Sequence, residues 1–192
     1  MSFDPSIGLG LGIMAGVLAV QRVSELLLSR QHQRTMERLG GVEFGREQFP
    51  AFVALHVGIP LAIAIEVLVL GARPGPDWPW MLVLLVVAAL LRAAAIRALG
   101  ERWHVRVWVI PGEKPQTHGI YRWMRHPNYF AVILECAALP LLFGAWRTAV
   151  AASLVNLILL TMRIRVEEQA LAWAAKSPPP SEATSPATPA RV

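Results

Sequence analysis

Lysine is almost missing from this chain of 192 residues: two are present, against 16 arginines. Cysteine is scarcer still. The single Cys136 excludes an intrachain disulfide and, set in an apolar run, reads as core packing. Charged residues make up 16% of the chain and hydrophobic ones 55%, with mean hydropathy +0.46. That leaves too little polar surface to cover a soluble domain of this length. No Cys/His set has zinc spacing, so no metal site is expected. A P-loop and a G-x-S-x-G elbow are absent, and GLGLG at 8–12 lies in an apolar segment without the strand that a dinucleotide fold requires. No basic leader precedes the segment Ser6–Leu28 and no small-residue cleavage site follows it, so a cleavable signal is not expected.

What is present is long apolar runs. Spanning a bilayer takes roughly 20 apolar residues in a helix. Ile7–Leu28, Ala51–Leu70 and Trp78–Leu99 meet that length. Two shorter runs follow, Tyr129–Phe143 and Trp146–Met162, parted only by Gly144 and Ala145, which reads as a helical hairpin with Pro140 kinking its first arm. The expected fold is therefore all-α, a transmembrane bundle of about five spans, with one membrane-embedded domain over 1–176. The Pro/Ser/Ala/Thr-rich stretch 177–192 is expected to be disordered. The connections at 29–50 and 97–128 and the stretch after Met162 carry 14 Lys and Arg, against Arg73 and Arg147 on the other side. This asymmetry predicts an external N-terminus and a cytoplasmic C-terminus. Trp78, Trp80 and Trp146 then fall at the outer interface, Trp103, Trp108 and Trp123 at the inner one. The net charge of +5 lies beside apolar segments, which points to anionic lipid headgroups and away from nucleic acid.

Three groups of polar residues stand out. The densest is Gly119-Ile-Tyr-Arg-Trp-Met-Arg-His-Pro-Asn-Tyr129, at the mouth of the fourth helix. Pro127 suits a first helical turn, and the free amides there attract an anionic group, with Arg122 and Arg125 adding charge. An interfacial anchor would draw on the same residue types. The second group is Arg163, Arg165, Glu167 and Glu168: either an i,i+4 ion pair or two carboxylates for a ligand's ammonium or ribose hydroxyls. The third comprises ionisable residues within the spans: Arg22 and Glu25, Glu66, Arg92, and Glu135. Each must be paired or face a cavity. Gly12 and Gly16 have the spacing of close helix packing.

The run Leu99-Gly-Glu-Arg-Trp, then Gly119-Ile-Tyr121, then Arg125-His-Pro-Asn-Tyr129, closed by Glu167-Glu168, resembles the isoprenylcysteine carboxyl methyltransferase family over residues 92–172. The resemblance implies a membrane enzyme using S-adenosylmethionine at the cytoplasmic face, with a lipid acceptor entering from the bilayer. It places Gly119, Tyr121, Arg125, His126, Pro127, Tyr129, Glu167 and Glu168 at the cofactor, and Arg163 where cofactor and acceptor meet. The expected catalytic residues are Arg163, Glu168 and His126. Many members have Gly where this chain has Ala131, which would hold the helix slightly further from the cofactor. Low lysine and high alanine and arginine suit a bacterium of high GC content, and hence its inner membrane. The loop RWHVRVWVIPGE…GIYRWMRHPNYF is similar to bacterial members that O-methylate alkylresorcinols or alkylpyrones. Rival readings are a prenylcysteine carboxyl or phospholipid N-methyltransferase, a sterol-reductase-like NADPH enzyme, and a non-enzymatic membrane scaffold.

Overall fold

A computed structural model describes residues 5–180. Five helices account for most of it: α1 (Pro5–Arg38), α2 (Phe49–Leu68), α3 (Trp78–Leu99), α4 (Pro127–Leu142) and α5 (Trp146–Lys176). Among the described residues α1, α2, α3 and α5 are long and apolar enough to cross a membrane, and α4 is a shorter apolar helix. Their outward faces are apolar too: Leu9, Val20, Leu61, Leu90 and Ile158 are all exposed. Such a surface is stable against hydrocarbon and costly against water. The protein is a multi-pass membrane protein.

Helix ends differ from the sequence expectation in instructive ways. The first helix runs ten residues past Leu28, to Arg38, and α5 runs past Met162 to Lys176. Both extensions are charged but rich in helix formers, and the one in α5 gains packing as well. Its Ala170 and Ala174 are buried against Val107 and Val109 of a two-stranded ribbon. That ribbon, β1 (Val42–Phe44) and β2 (Val107–Val109), is antiparallel with Glu43 opposite Trp108. No alternation in the sequence announces it, because three-residue strands are too short to show a period. The stretch 100–120, punctuated by Pro111, Gly112, Pro115 and Gly119, thus contains one strand.

The α4–α5 hairpin forms as expected. Pro140 lies in the last turn of α4, where it marks the end of the helix; its carbonyl accepts from the amides of Phe143 and Ala145. Gly144 has φ +72, and a side chain there would run into the backbone of Arg73. At the same end Glu66 of α2, 3% exposed, accepts from the Arg147 amide at 3.1 Å and the Thr148 amide at 2.8 Å. It caps α5 from another helix, satisfying amides that have no partner within their own.

The other span charges pair off. Arg22 and Arg92 each bond both Glu25 and Glu135, at 2.7–2.9 Å. This closed ring of two cations and two anions ties α1, α3 and α4 together with no net charge. Residues 177–180 leave α5 beside the connecting loops; a side chain on Gly112 would meet Pro179. The rest of the expected disordered stretch lies outside the described residues.

Candidate functional site

The site is built where the charged ends of α1, α4 and α5 meet the chain between α3 and α4. Short-range bonds fix that connecting chain. The His32 Nδ1–H of α1 donates to the Trp103 carbonyl at 2.8 Å, and Ser29 Oγ accepts from the Val105 amide. Gln116 Nε2 donates to the Ala98 carbonyl at 2.6 Å. Gly119, at φ +60, starts a 3-10 turn over Gly119–Arg122; a Cβ on it would press on Ala98. Only glycine accepts both that backbone and that approach. The chain then reaches His126, which ends the connection as the N-cap of α4, with Pro127 buried in the first turn.

Three residues on this turn face three on α5. The Tyr129 hydroxyl donates to a Glu167 oxygen, and the Tyr129 ring lies nearly parallel to the His126 ring, with centroids 5.3 Å apart. His126 Nε2 is 3.3 Å from Glu168 and its Nδ1 is 3.9 Å from Glu167. Arg125 pairs with Glu168 at 2.7 Å, but its side chain is 73% exposed. Arg163 is buried and does not pair with Glu167. Its Nη2 donates to the Val105 carbonyl at 2.9 Å and its Nε approaches the Tyr129 hydroxyl at 3.4 Å. The guanidinium also sits 5.8 Å from the Phe52 ring of α2. The first turn of α4 is therefore level with residues 163–168 of α5, as a tight hairpin dictates.

These groups open onto a cavity of about 380 Å³. Tyr121, Arg125, His126, Tyr129, Arg163 and Glu167 line it; Gly119, Pro127 and Glu168 do not, and act on it through backbone geometry or through Arg125 and His126. Burial, with the Glu167 carboxylate adding to it, raises the Tyr121 phenol well above its usual range. It is a neutral donor at physiological pH. The cavity continues among the spans, past Phe52, Val53, His56 and Val57 of α2 to Arg22, Glu25 and Arg92 of the ring. The two alternatives for span charges thus coincide here: the ring is paired and also lines a cavity. Glu66 is paired at the opposite end.

Sequence reasoning passed over three wall residues. Asn128 Oδ1, His56 Nε2 and His104 Nε2 are buried and have no hydrogen-bond partner among the described residues. Asn128 sits inside the recognised turn and could have been read from it. His56 is a polar residue inside an apolar span, a signal that was available. His104 carries no sequence signal beyond its loop.

Residues 81–173 match the model of the isoprenylcysteine carboxyl methyltransferase family. The chain is 34% identical over 159 residues to a Bacillus subtilis (strain 168) protein, YpbQ, covering 83% of this chain and 95% of that one. It is 27% identical over 158 residues to a Haemophilus influenzae protein, covering 82% and 91% respectively. Both relatives carry the description uncharacterized. No solved structure is a significant match.

Proposed function

The chain belongs to the isoprenylcysteine carboxyl methyltransferase family, and from that premise we propose that this membrane methyltransferase moves a methyl group from S-adenosylmethionine to an oxygen of a lipophilic acceptor. The observation that carries the reading is convergence. The His126–Tyr129 turn and Glu167, 38 residues beyond Tyr129, meet on one cavity that runs on among the spans.

The wall residues fit the donor's chemistry. Glu167 and the unpartnered, buried Asn128 Oδ1 would hold ammonium, amine or hydroxyl hydrogens. Arg125, His126 and the N-terminal end of α4 would hold a carboxylate. S-adenosylmethionine, when bound, supplies a methyl group on a sulfonium, open to in-line displacement. What the protein must then provide is alignment at near-attack distance, which can lower a barrier by about 7–11 kcal/mol. Arg163 is suited to aligning the reactants. Buried, fixed by the Val105 carbonyl and touching Tyr129, it stands between the charged mouth and the span-lined part of the cavity.

Leu26, Val53, Val57, Val132 and Leu160 line the deeper part of the cavity. They suit a hydrocarbon tail, worth about 0.8 kcal/mol per buried methylene. A long-chain alkylresorcinol or alkylpyrone is the acceptor we assign. A prenylcysteine carboxylate is the second reading, favoured by the buried cation Arg163 and by the family's description. The excess of Lys and Arg on the site's side of the bundle supports a cytoplasmic site, and we assign the membrane as a bacterial inner membrane.

Binding of S-adenosylhomocysteine to the detergent-solubilised protein tests the donor site. His126→Ala and Glu167→Ala should each weaken it at least about tenfold, or 1.4 kcal/mol, with membrane insertion unchanged. Unaltered binding in both variants would overturn the assignment. Labelled donor with membranes and candidate lipids then identifies the acceptor.

A further inference from the structure

Resting on the methyl-transfer reading, we propose that His56 is the base that takes the acceptor's proton, so that the acceptor presents a neutral hydroxyl, phenolic or enolic, and not a carboxylate. His56 lies on α2 one turn deeper than Phe52, the residue beside Arg163. Its Nδ1 is 2.7 Å from the Phe52 carbonyl. A carbonyl oxygen can only accept, so Nδ1 carries the hydrogen and the neutral ring keeps its lone pair on Nε2. That nitrogen is buried without a partner among the described residues, on a residue lining the same cavity as Tyr129, Arg163 and Glu167. A buried lone pair left unmatched by the protein is costly. A hydroxyl hydrogen of a bound molecule matches it; a carboxylate, which has no hydrogen to give, does not.

The carboxylates on the wall and His126 are already engaged. Glu25 is held by both ring arginines and Glu113 by Arg102 at 2.6 Å. Glu167 accepts from Tyr129, and His126 sits against Glu168. His104 also has a free Nε2, but it lies on the connection between α3 and α4, beside the His32 and Trp108 rings, and not on a span among the apolar lining. The charged groups facing His56 are Arg22 from α1, Arg92 from α3 and Glu135 from α4, with Arg163 of α5 a turn away. The first three belong to the ring, which with Glu25 carries no net charge.

The step balances. The acceptor O–H bond breaks as its proton moves to Nε2. An oxygen electron pair forms the new O–CH3 bond, and the S–CH3 pair stays on sulfur, turning the sulfonium into a thioether. The imidazolium returns its proton to water at the cavity mouth.

The full chain in lipid nanodiscs, with labelled S-adenosylmethionine, should methylate 5-pentadecylresorcinol in preference to N-acetyl-S-farnesylcysteine. His56→Gln should bind S-adenosylhomocysteine as the wild type does, yet lose about 100-fold in resorcinol methylation. Its remaining rate should climb with pH toward the phenol's own pKa of roughly 10, whereas the wild-type rate levels off at a lower pH. Imidazole added to His56→Ala should restore part of the lost rate. Several outcomes would overturn the base assignment: transfer to the carboxylate probe alone or to neither probe, an unchanged pH profile in His56→Gln, no rescue by imidazole, or loss of S-adenosylhomocysteine binding in the variants. Failure of the wild type itself to bind S-adenosylhomocysteine would instead remove the methyl-transfer reading beneath it.

Discussion

His104 shows how one side chain's surroundings decide its charge. Burial first, then the neighbours His32 and Arg163, bring it down to about 4 from its ordinary 6.5. The unfolded chain therefore takes up a proton below about pH 6.5 that the folded chain refuses until near pH 4. Stability is fully present above the higher value and drains away as pH falls toward the lower one. Thermal denaturation in detergent should accordingly show a lower Tm at about pH 5 than at about pH 7, and His104→Gln should shrink that difference. An equal difference in the variant would show that another group is responsible. Residues of this kind were legible only where they sit in a local motif. His126, Pro127 and Tyr129 could be read because the turn needs them adjacent, whereas His56 and His104 become cavity residues only because the fold gathers distant elements around them.

The α4–α5 hairpin is the element on which the site depends. Its turn holds Gly144 at φ +72 against the backbone of Arg73. A β-branched residue there would meet both a left-handed backbone and a carbonyl. Gly144→Val should cost about 2 kcal/mol or more, read as a fall in Tm with weakened S-adenosylhomocysteine binding, since the turn sets the register of His126 against Glu167. A variant as stable as the wild type would show that the turn is not constrained. The hairpin itself was legible, because two apolar runs separated by Gly144 and Ala145 have no other way to be satisfied. The length of α5 was not. Its continuation through Glu167 and Glu168 to Lys176 is polar, and what keeps it helical includes Ala170 and Ala174 packing on a ribbon whose strands lie about 60 residues upstream and farther.

Taken whole, the molecule places its charge asymmetrically along the bundle axis. The ends of α1, α3 and α5 nearest the site carry most of the arginines, and from that asymmetry a reporter fused after Ala175 should be cytoplasmic while one inserted in loop 71–77 should be external. The reverse result would put the site on the wrong side for a cytoplasmic donor. Composition and period alone settled that this chain lives in a bilayer as a helical bundle, since long apolar runs with few charges can be satisfied only by helices whose backbone bonds are internal. Which polar groups face one another was decided by tertiary structure alone. Arg22, Glu25, Arg92 and Glu135 close into a ring only when three helices meet, and Arg163 prefers the Val105 carbonyl to Glu167 on its own helix. The physical reason is range: burial of an apolar face follows from residues a turn apart, but the pairing of a desolvated charge depends on whatever the fold brings within about 3 Å of it.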